Sequence, residues 1–133
     1  MATSVKNKLD KVFQHYVRLR DSNEQGIAFC ISCVKPVRYG TINCQAGHYL
    51  PRQHMGTRWH EKNVSVQCSY CNKWEGGNQK GYQIGLVKKY GEGVIEELDI
   101  AKSMTKKYSE FEMEMLLKHY KSEVQRLKKE KGL

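Results

Sequence analysis

The sequence predicts an α+β fold: a small cysteine-stapled core with one helix before it and several after it. Three observations carry the prediction. Two Cys-x-x-Cys pairs, Cys30-Ile31-Ser32-Cys33 and Cys68-Ser69-Tyr70-Cys71, stand 34 residues apart. Short β-type stretches lie between and beside them. Apolar residues recur every three or four positions at both ends of the chain, the period of a helix with one buried face. The chain has 133 residues, of which 39% are hydrophobic. That is enough for a small core, and domains of this size often supplement theirs with a metal or a partner. The predicted units are an N-terminal helix over 1–26 packed on the core, the core itself over 27–91, and a helical extension over 92–133.

Each element has its own signal. Val5, Leu9, Val12, Phe13 and Tyr16 form one stripe of a helix over 4–20, with Ser4 as its N-cap. The polar turn from Asp21 to Gly26 ends it. Ile27-Ala28-Phe29 leads into the first cysteine pair, where Pro36 soon follows, the pattern of a knuckle whose backbone amides face two thiolates. Val37 to Cys44 has β character and is expected to run on to Gly47-His48 as one strand. Residues 50–62 contain Pro51, Gly56 and many polar groups and read as a loop. Val64-Ser65-Val66-Gln67 alternates as a short strand. A helix should follow Cys71, broken at Gly76-Gly77, and a second should run from Asn78 to Tyr90 with Gly91 as its stop. Glu92 to Ala101 suggests a short acidic helix. Ser109 and Glu112 form a capping box for the last helix. Met113, Leu116, Leu117, Tyr120, Val124 and Leu127 mark that helix's apolar stripe.

Charge and cysteine usage narrow the function. There are 23 Lys plus Arg against 14 Asp plus Glu, a formal charge of +9. Such an excess suits a polyanion, nucleic acid before an anionic membrane. No apolar run approaches the ~18 residues of a membrane span, and the opening residues lack the apolar segment of a secretory signal. The expected compartment is the reducing cytoplasm, where disulfides are rare. Cys30, Cys33, Cys68 and Cys71 are therefore read as four thiolate ligands of one structural Zn²⁺. A redox dithiol fits less well, because there are two pairs and no thioredoxin-like pattern around either. Cys44 is left over and is expected to be a buried strand residue rather than a reactive thiol.

His48, Asn63 and Asn72 are the candidate catalytic residues. Phosphodiester hydrolysis needs a base to activate water, a cation to stabilise developing charge, and a group that holds the base in place. His48 sits where a strand ends. Asn63 comes 15 residues later and could pin the loop or the imidazole. Asn72 directly follows Cys71, so the zinc would fix its position, and its amide oxygen could ligate Mg²⁺ or Mn²⁺. A lone histidine beside a tyrosine is more often a packing or surface group, so the flanking cysteines and asparagines carry this reading.

At these residues a resemblance enters. The order strand, Gly-His, loop, Asn, strand, Cys-x-x-Cys-Asn, helix resembles the ββα-metal core of HNH, or His-Me finger, nucleases. More narrowly, the chain resembles the phage NinG, or Rap, recombination endonuclease family. The resemblance rests on Tyr16-Val17-Arg18-Leu19-Arg20-Asp21, Cys30-Ile31-Ser32-Cys33, Ala46-Gly47-His48-Tyr49, Asn63, Gln67-Cys68, Cys71-Asn72, Gly77-Asn78 and Tyr82-Gln83-Ile84-Gly85-Leu86. It implies metal-dependent cleavage of branched DNA, such as Holliday junctions and D-loops, with selectivity for structure over sequence. His48 would be the general base, Asn63 the orienter and Asn72 a ligand of the catalytic cation. If the chain is phage-encoded, its compartment is the host cytoplasm.

There is one departure. Many HNH sites place an acidic residue or histidine directly before the base, and here that position is Gly47. Gln45, His54, Glu75 and Asn78 are the substitutes for a missing cation ligand. Two other readings stand beside the nuclease: a non-catalytic zinc module that binds nucleic acid, and a zinc-stapled protein-interaction domain. A four-way junction is two-fold symmetric, so paired incisions would suit a homodimer, with the last helix as its interface or else packed within the chain.

Overall fold

The computed structural model describes residues 4–73 and 78–133. It is a mixed α+β structure with two small antiparallel sheets. Helix α1, Val5–Asp21, starts at Ser4, whose side chain accepts from the Asn7 amide at 3.2 Å. Strands β1, Ile27–Phe29, and β2, Pro36–Arg38, pair around the first cysteine knuckle. Strands β3, Gln45–His48, and β4, Val64–Gln67, form the second sheet, with His48 opposite Val64. The two sheets are joined where the Ile31 amide donates to the Val66 carbonyl at 2.9 Å. Helix α3, Ser69–Lys73, carries Cys71 and Asn72 directly after β4.

Two expectations are corrected. Val37 to His48 is not one strand. Gly40 takes a left-handed φ of 85°, which glycine adopts without strain, and the Thr41 hydroxyl caps the Arg38 carbonyl at 2.6 Å. The chain turns there, so β2 and β3 belong to different sheets. Residues 50–62 are not all loop either. They contain a single helical turn, α2, Met55–Arg58. The expected break at Gly76-Gly77 lies outside the described residues.

The helices after the sheets follow the sequence pattern. Helix α4, Gln79–Tyr90, has Asn78 as N-cap and Gly91 as C-cap. Helix α5 is Val94–Ser103. Helix α6, Glu110–Lys131, opens with the complete Ser109–Glu112 capping box. Its stripe packs on α1, with Tyr120 buried against Phe13 and Tyr16, ring centroids 4.9 Å away in each case. Farther along, the Lys131 ammonium donates to the carbonyls of Leu19, Arg20 and Ser22 at 2.7–3.1 Å. The ammonium thus caps the C-terminal end of α1, where carbonyls lack partners from a following turn. The two helices therefore run side by side in the same direction, and the apolar face of α6 is used within the chain. Cys44 is buried beside the knuckle cysteines, as expected, but it lies just before β3 and not within a strand.

Candidate functional site

Two knuckles bring four sulfurs together. The Sγ atoms of Cys30, Cys33, Cys68 and Cys71 all lie within 4.8 Å of one another. Cys33 and Cys68 are 3.7 Å apart. Tetrahedral zinc with Zn–S near 2.3 Å requires sulfurs roughly 3.8 Å apart, so the tetrad could hold a zinc ion. Its surroundings favour thiolates at several points. The Cys71 amide and the Asn78 Nδ2 donate to sulfurs at 3.4 Å. Burial raises the Cys30 thiol, but backbone amides of Cys68, Cys33 and Ser32 more than offset it, so its pKa falls. Burial pushes Cys71 up to about 12, above the range where a free thiol ionises at neutral pH. A bound zinc would deprotonate its coordinating thiols, so the cluster could serve as a metal centre. Val34 sits just after the first knuckle with φ at 69°, an uncommon conformation for a β-branched residue. It is held there by its amide, which donates to the Cys30 carbonyl at 2.8 Å.

Beside the tetrad lies an open cleft of about 340 Å³. Its lining includes Gln14 from α1, Gly47 and His48 from β3, Arg52 from the loop, Asn72 from α3 and Gln79 from α4. His48 and Asn72, 24 positions apart in the sequence, therefore border one space. His48 Nε2 lies 3.0 Å from the Arg58 carbonyl oxygen. A carbonyl can only accept, so Nε2 carries the proton and Nδ1 keeps its lone pair. Burial is the main cause that lowers the His48 pKa below 6.5, helped by Arg52 and opposed by the Arg58 carbonyl. The imidazole is neutral at pH 7.

Asn63 hydrogen-bonds through its amide to the loop after His48 and not to the imidazole. It is fully buried, and its amide ties down the loop that follows His48. Its Oδ1 accepts from the Leu50 amide at 2.9 Å, and its Nδ2 donates to the carbonyls of Leu50 and Thr57 at 3.0 and 3.1 Å. Asn72 donates Nδ2 to Gln45 Oε1 at 2.9 Å. Its Oδ1 lies over the bare Cα of Gly47, 3.1 Å from where a Cβ would stand. The same Cβ would be 1.8 Å from the Oε1 of buried Gln67, so an acidic side chain has no room there.

The other proposed cation ligands are placed as follows. Gln45 is engaged by Asn72. Asn78 caps α4 through the Gly81 amide and reaches Cys71. His54 is the N-cap position of α2 and makes no side-chain cap bond. Glu75 lies outside the described residues. No carboxylate among the described residues lines the cleft. Among the described residues, only the cysteine tetrad gathers three or more His, Cys, Asp or Glu side chains at metal distance. For a hard divalent cation the described lining thus offers neutral amide oxygens, those of Gln14, Asn72 and Gln79. That suits Mg²⁺ only in its usual mode, with waters and substrate phosphates completing the shell.

Several contacts that build the site had no local signal. Asp10 of α1 binds the Arg58 guanidinium through both its oxygens and accepts the Trp59 indole N–H at 2.9 Å. Tyr82, wholly buried, donates its hydroxyl to the Gly47 carbonyl at 2.6 Å. Asp21 accepts the Val66 amide at 3.0 Å and pairs with Arg20 and Lys89. Asp10 looks like an ordinary polar-face residue in sequence, and Asp21 stands out only as the end of the Tyr16–Asp21 motif. Their partners are 42 or more positions away, apart from Arg20.

A family model described as "Bacteriophage Lambda NinG protein" matches residues 2–130. The chain is 31% identical over 74 residues to "Protein ninG" of Escherichia phage lambda, a match covering 53% of this chain and 33% of that protein. "Protein ninG" of Salmonella phage P22 gives 31% over 74 residues, covering 53% and 34%. That of Enterobacteria phage H19B gives 25% over 85 residues, covering 63% and 39%. The chain thus aligns with about a third of the length of these curated relatives. No solved structure matches it significantly. The family match spans nearly the whole chain, knuckles and cleft included, and the chain belongs to the NinG family.

Proposed function

We propose that this chain is a metal-dependent endonuclease that hydrolyses phosphodiesters of branched DNA, recognising structure rather than sequence. In this reading β3, β4 and α3 are the ββα-metal core of an HNH, or His-Me finger, nuclease. The observation that carries it is the orientation of His48. Its Nε2–H is held by the Arg58 carbonyl at 3.0 Å, which leaves Nδ1 as the base at a cleft shared with Asn72. Nδ1 takes a proton from water as that water attacks phosphorus and the bond to the leaving sugar oxygen breaks. Asn63 keeps the loop closed behind the base. A Mg²⁺ or Mn²⁺ ion bound at Asn72 Oδ1 would supply charge stabilisation at the scissile phosphate. The zinc tetrad keeps α3, and so Asn72, in place.

The surface suits a polyanion. Both acids of α1, Asp10 and Asp21, are turned inward and paired, so its exposed face carries Lys6, Lys8 and Lys11 unopposed. Arg52 stands exposed on the cleft rim. Six phosphate contacts would give a log–log salt slope of about −5 on duplex DNA. Branch preference would come from shape and bendability, and a homodimer would suit paired cuts in a two-fold junction.

The test is to incubate the purified protein with linear, flapped and four-way DNA, with Mg²⁺, with Mn²⁺ and with chelator. Metal-dependent cutting of the branched forms is expected; no cutting of any form in either metal contradicts the proposal. A second reading, a zinc-binding nucleic-acid module without catalysis, draws on the absence of a carboxylate among the described residues of the cleft lining. It predicts branched-DNA binding with no cleavage.

A further inference from the structure

We infer that Asp10 is a positioning residue for His48, acting through Arg58 and the backbone carbonyl that holds the imidazole. The inference rests on the reading of His48 as the base. The carbonyl that receives Nε2–H belongs to the last residue of α2, a helix of four residues. A single turn is too short to be stable by itself, so something else must hold that carbonyl still. The Arg58 guanidinium is gripped by both oxygens of Asp10, and the next residue, Trp59, donates its indole N–H to the same carboxylate. Two consecutive side chains at the end of α2 are thus clamped to one group. That group sits between Leu9 and Phe13 on α1, both buried in the main core. The rigid helix thereby fixes a carbonyl on an otherwise irregular segment. Arg58 also donates to the Arg52 carbonyl at 3.2 Å, which ties the cleft rim to the same clamp.

The chemistry of the clamp favours positioning over simple stabilisation. Asp10 is 7% and Arg58 9% exposed, and a buried ion pair is often no more stabilising than well-packed apolar residues of the same volume. A bidentate carboxylate–guanidinium pair does, however, define direction. Without it, the carbonyl can rotate away from Nε2, and the imidazole loses the bond that selects its tautomer. Asp10→Asn keeps the shape but removes the charge and one acceptor.

The test uses the full chain with its zinc, labelled with ¹⁵N-histidine, at a pH above the imidazole titration. The His48 signal is assigned by its disappearance in His48→Ala. In the wild type, His48 is expected in the Nε2–H form alone; a wild-type Nδ1–H form overturns the inference. In Asp10→Asn, both tautomers are expected, with kcat for branched DNA about 10²-fold lower and KM and zinc content unchanged, the cost of a misplaced catalytic group. Arg58→Lys, which keeps the charge and the backbone carbonyl, should shift the tautomers the same way and serves if Asp10→Asn does not fold. A folded variant with one tautomer and wild-type kcat makes Asp10 a purely structural residue. The tautomer signal needs no nuclease assay, so it separates failure of this inference from failure of the base assignment.

Discussion

Asn63 shows how one buried amide can shape a site without facing it. Its three hydrogen bonds close the segment from Leu50 to Thr57, which carries Arg52 and leads to Arg58. Asn63→Ala would strip partners from buried backbone groups, at about 1–3 kcal/mol for each one left unsatisfied. Thermal unfolding should therefore show a clear drop in Tm, with zinc content unchanged. An unaltered Tm would mean that water or rearranged backbone replaces the amide. The sequence signalled this residue only in part. The resemblance to HNH sites implied an orienter here, and the choice between loop and imidazole needed the fold. Asp10 gave no signal at all, because its partners Arg58 and Trp59 are 48 and 49 positions away. Gly47 was visible as a departure from the HNH pattern. The reason for it, the Gln67 and Asn72 side chains packed over its Cα, was not.

At the scale of elements, the helices were the most legible part. Ser4, Ser109 with Glu112, and Gly91 mark helix ends by local chemistry, and each lies where its residue type predicts. The strands were harder. A three-residue strand such as β2 has too little pattern to separate from its neighbour, and Gly40 was read as lying within β rather than as its end. α2 was missed because four residues cannot show a helical period. The knuckles were read correctly because ligand spacing is itself local. Their role is testable at this scale. Zinc in small peptides contributes roughly 10–16 kcal/mol to folding, comparable to a whole domain's stability. Cys68→Ser should lose the metal and a large part of the folded structure. Metal analysis and circular dichroism check this; a zinc-free wild type, or a variant as heat-stable as wild type, would remove the claim.

For the whole molecule, charge and burial make stability depend on pH in a definite direction. Burial is the leading cause that lowers His15, His48 and His60 below their ordinary 6.5. Below that value the unfolded chain binds protons that the folded chain refuses. Stability therefore rises with pH; the histidine contribution is present above about 6.5 and is lost as pH falls through the depressed folded values. Asp21 adds a further loss in more acid solution. Burial opposes its ionisation, yet Arg20, Lys89 and the Val66 amide hold it below the usual carboxylate range. Urea midpoints should fall as pH is lowered from about 7 to about 5, with zinc content followed alongside; a flat profile would contradict these shifts. No described helix is long and apolar enough to cross a membrane. The central claim is that His48 is the base at the cleft, and the most direct test is the rate at which His48→Ala cuts four-way DNA in Mg²⁺ or Mn²⁺. Loss of a general base typically costs about 10²–10⁴ in rate. The variant should therefore be slowed by at least that lower factor, unrescued by added Mn²⁺, while still binding zinc and DNA. Cleavage by His48→Ala at the wild-type rate would contradict the account.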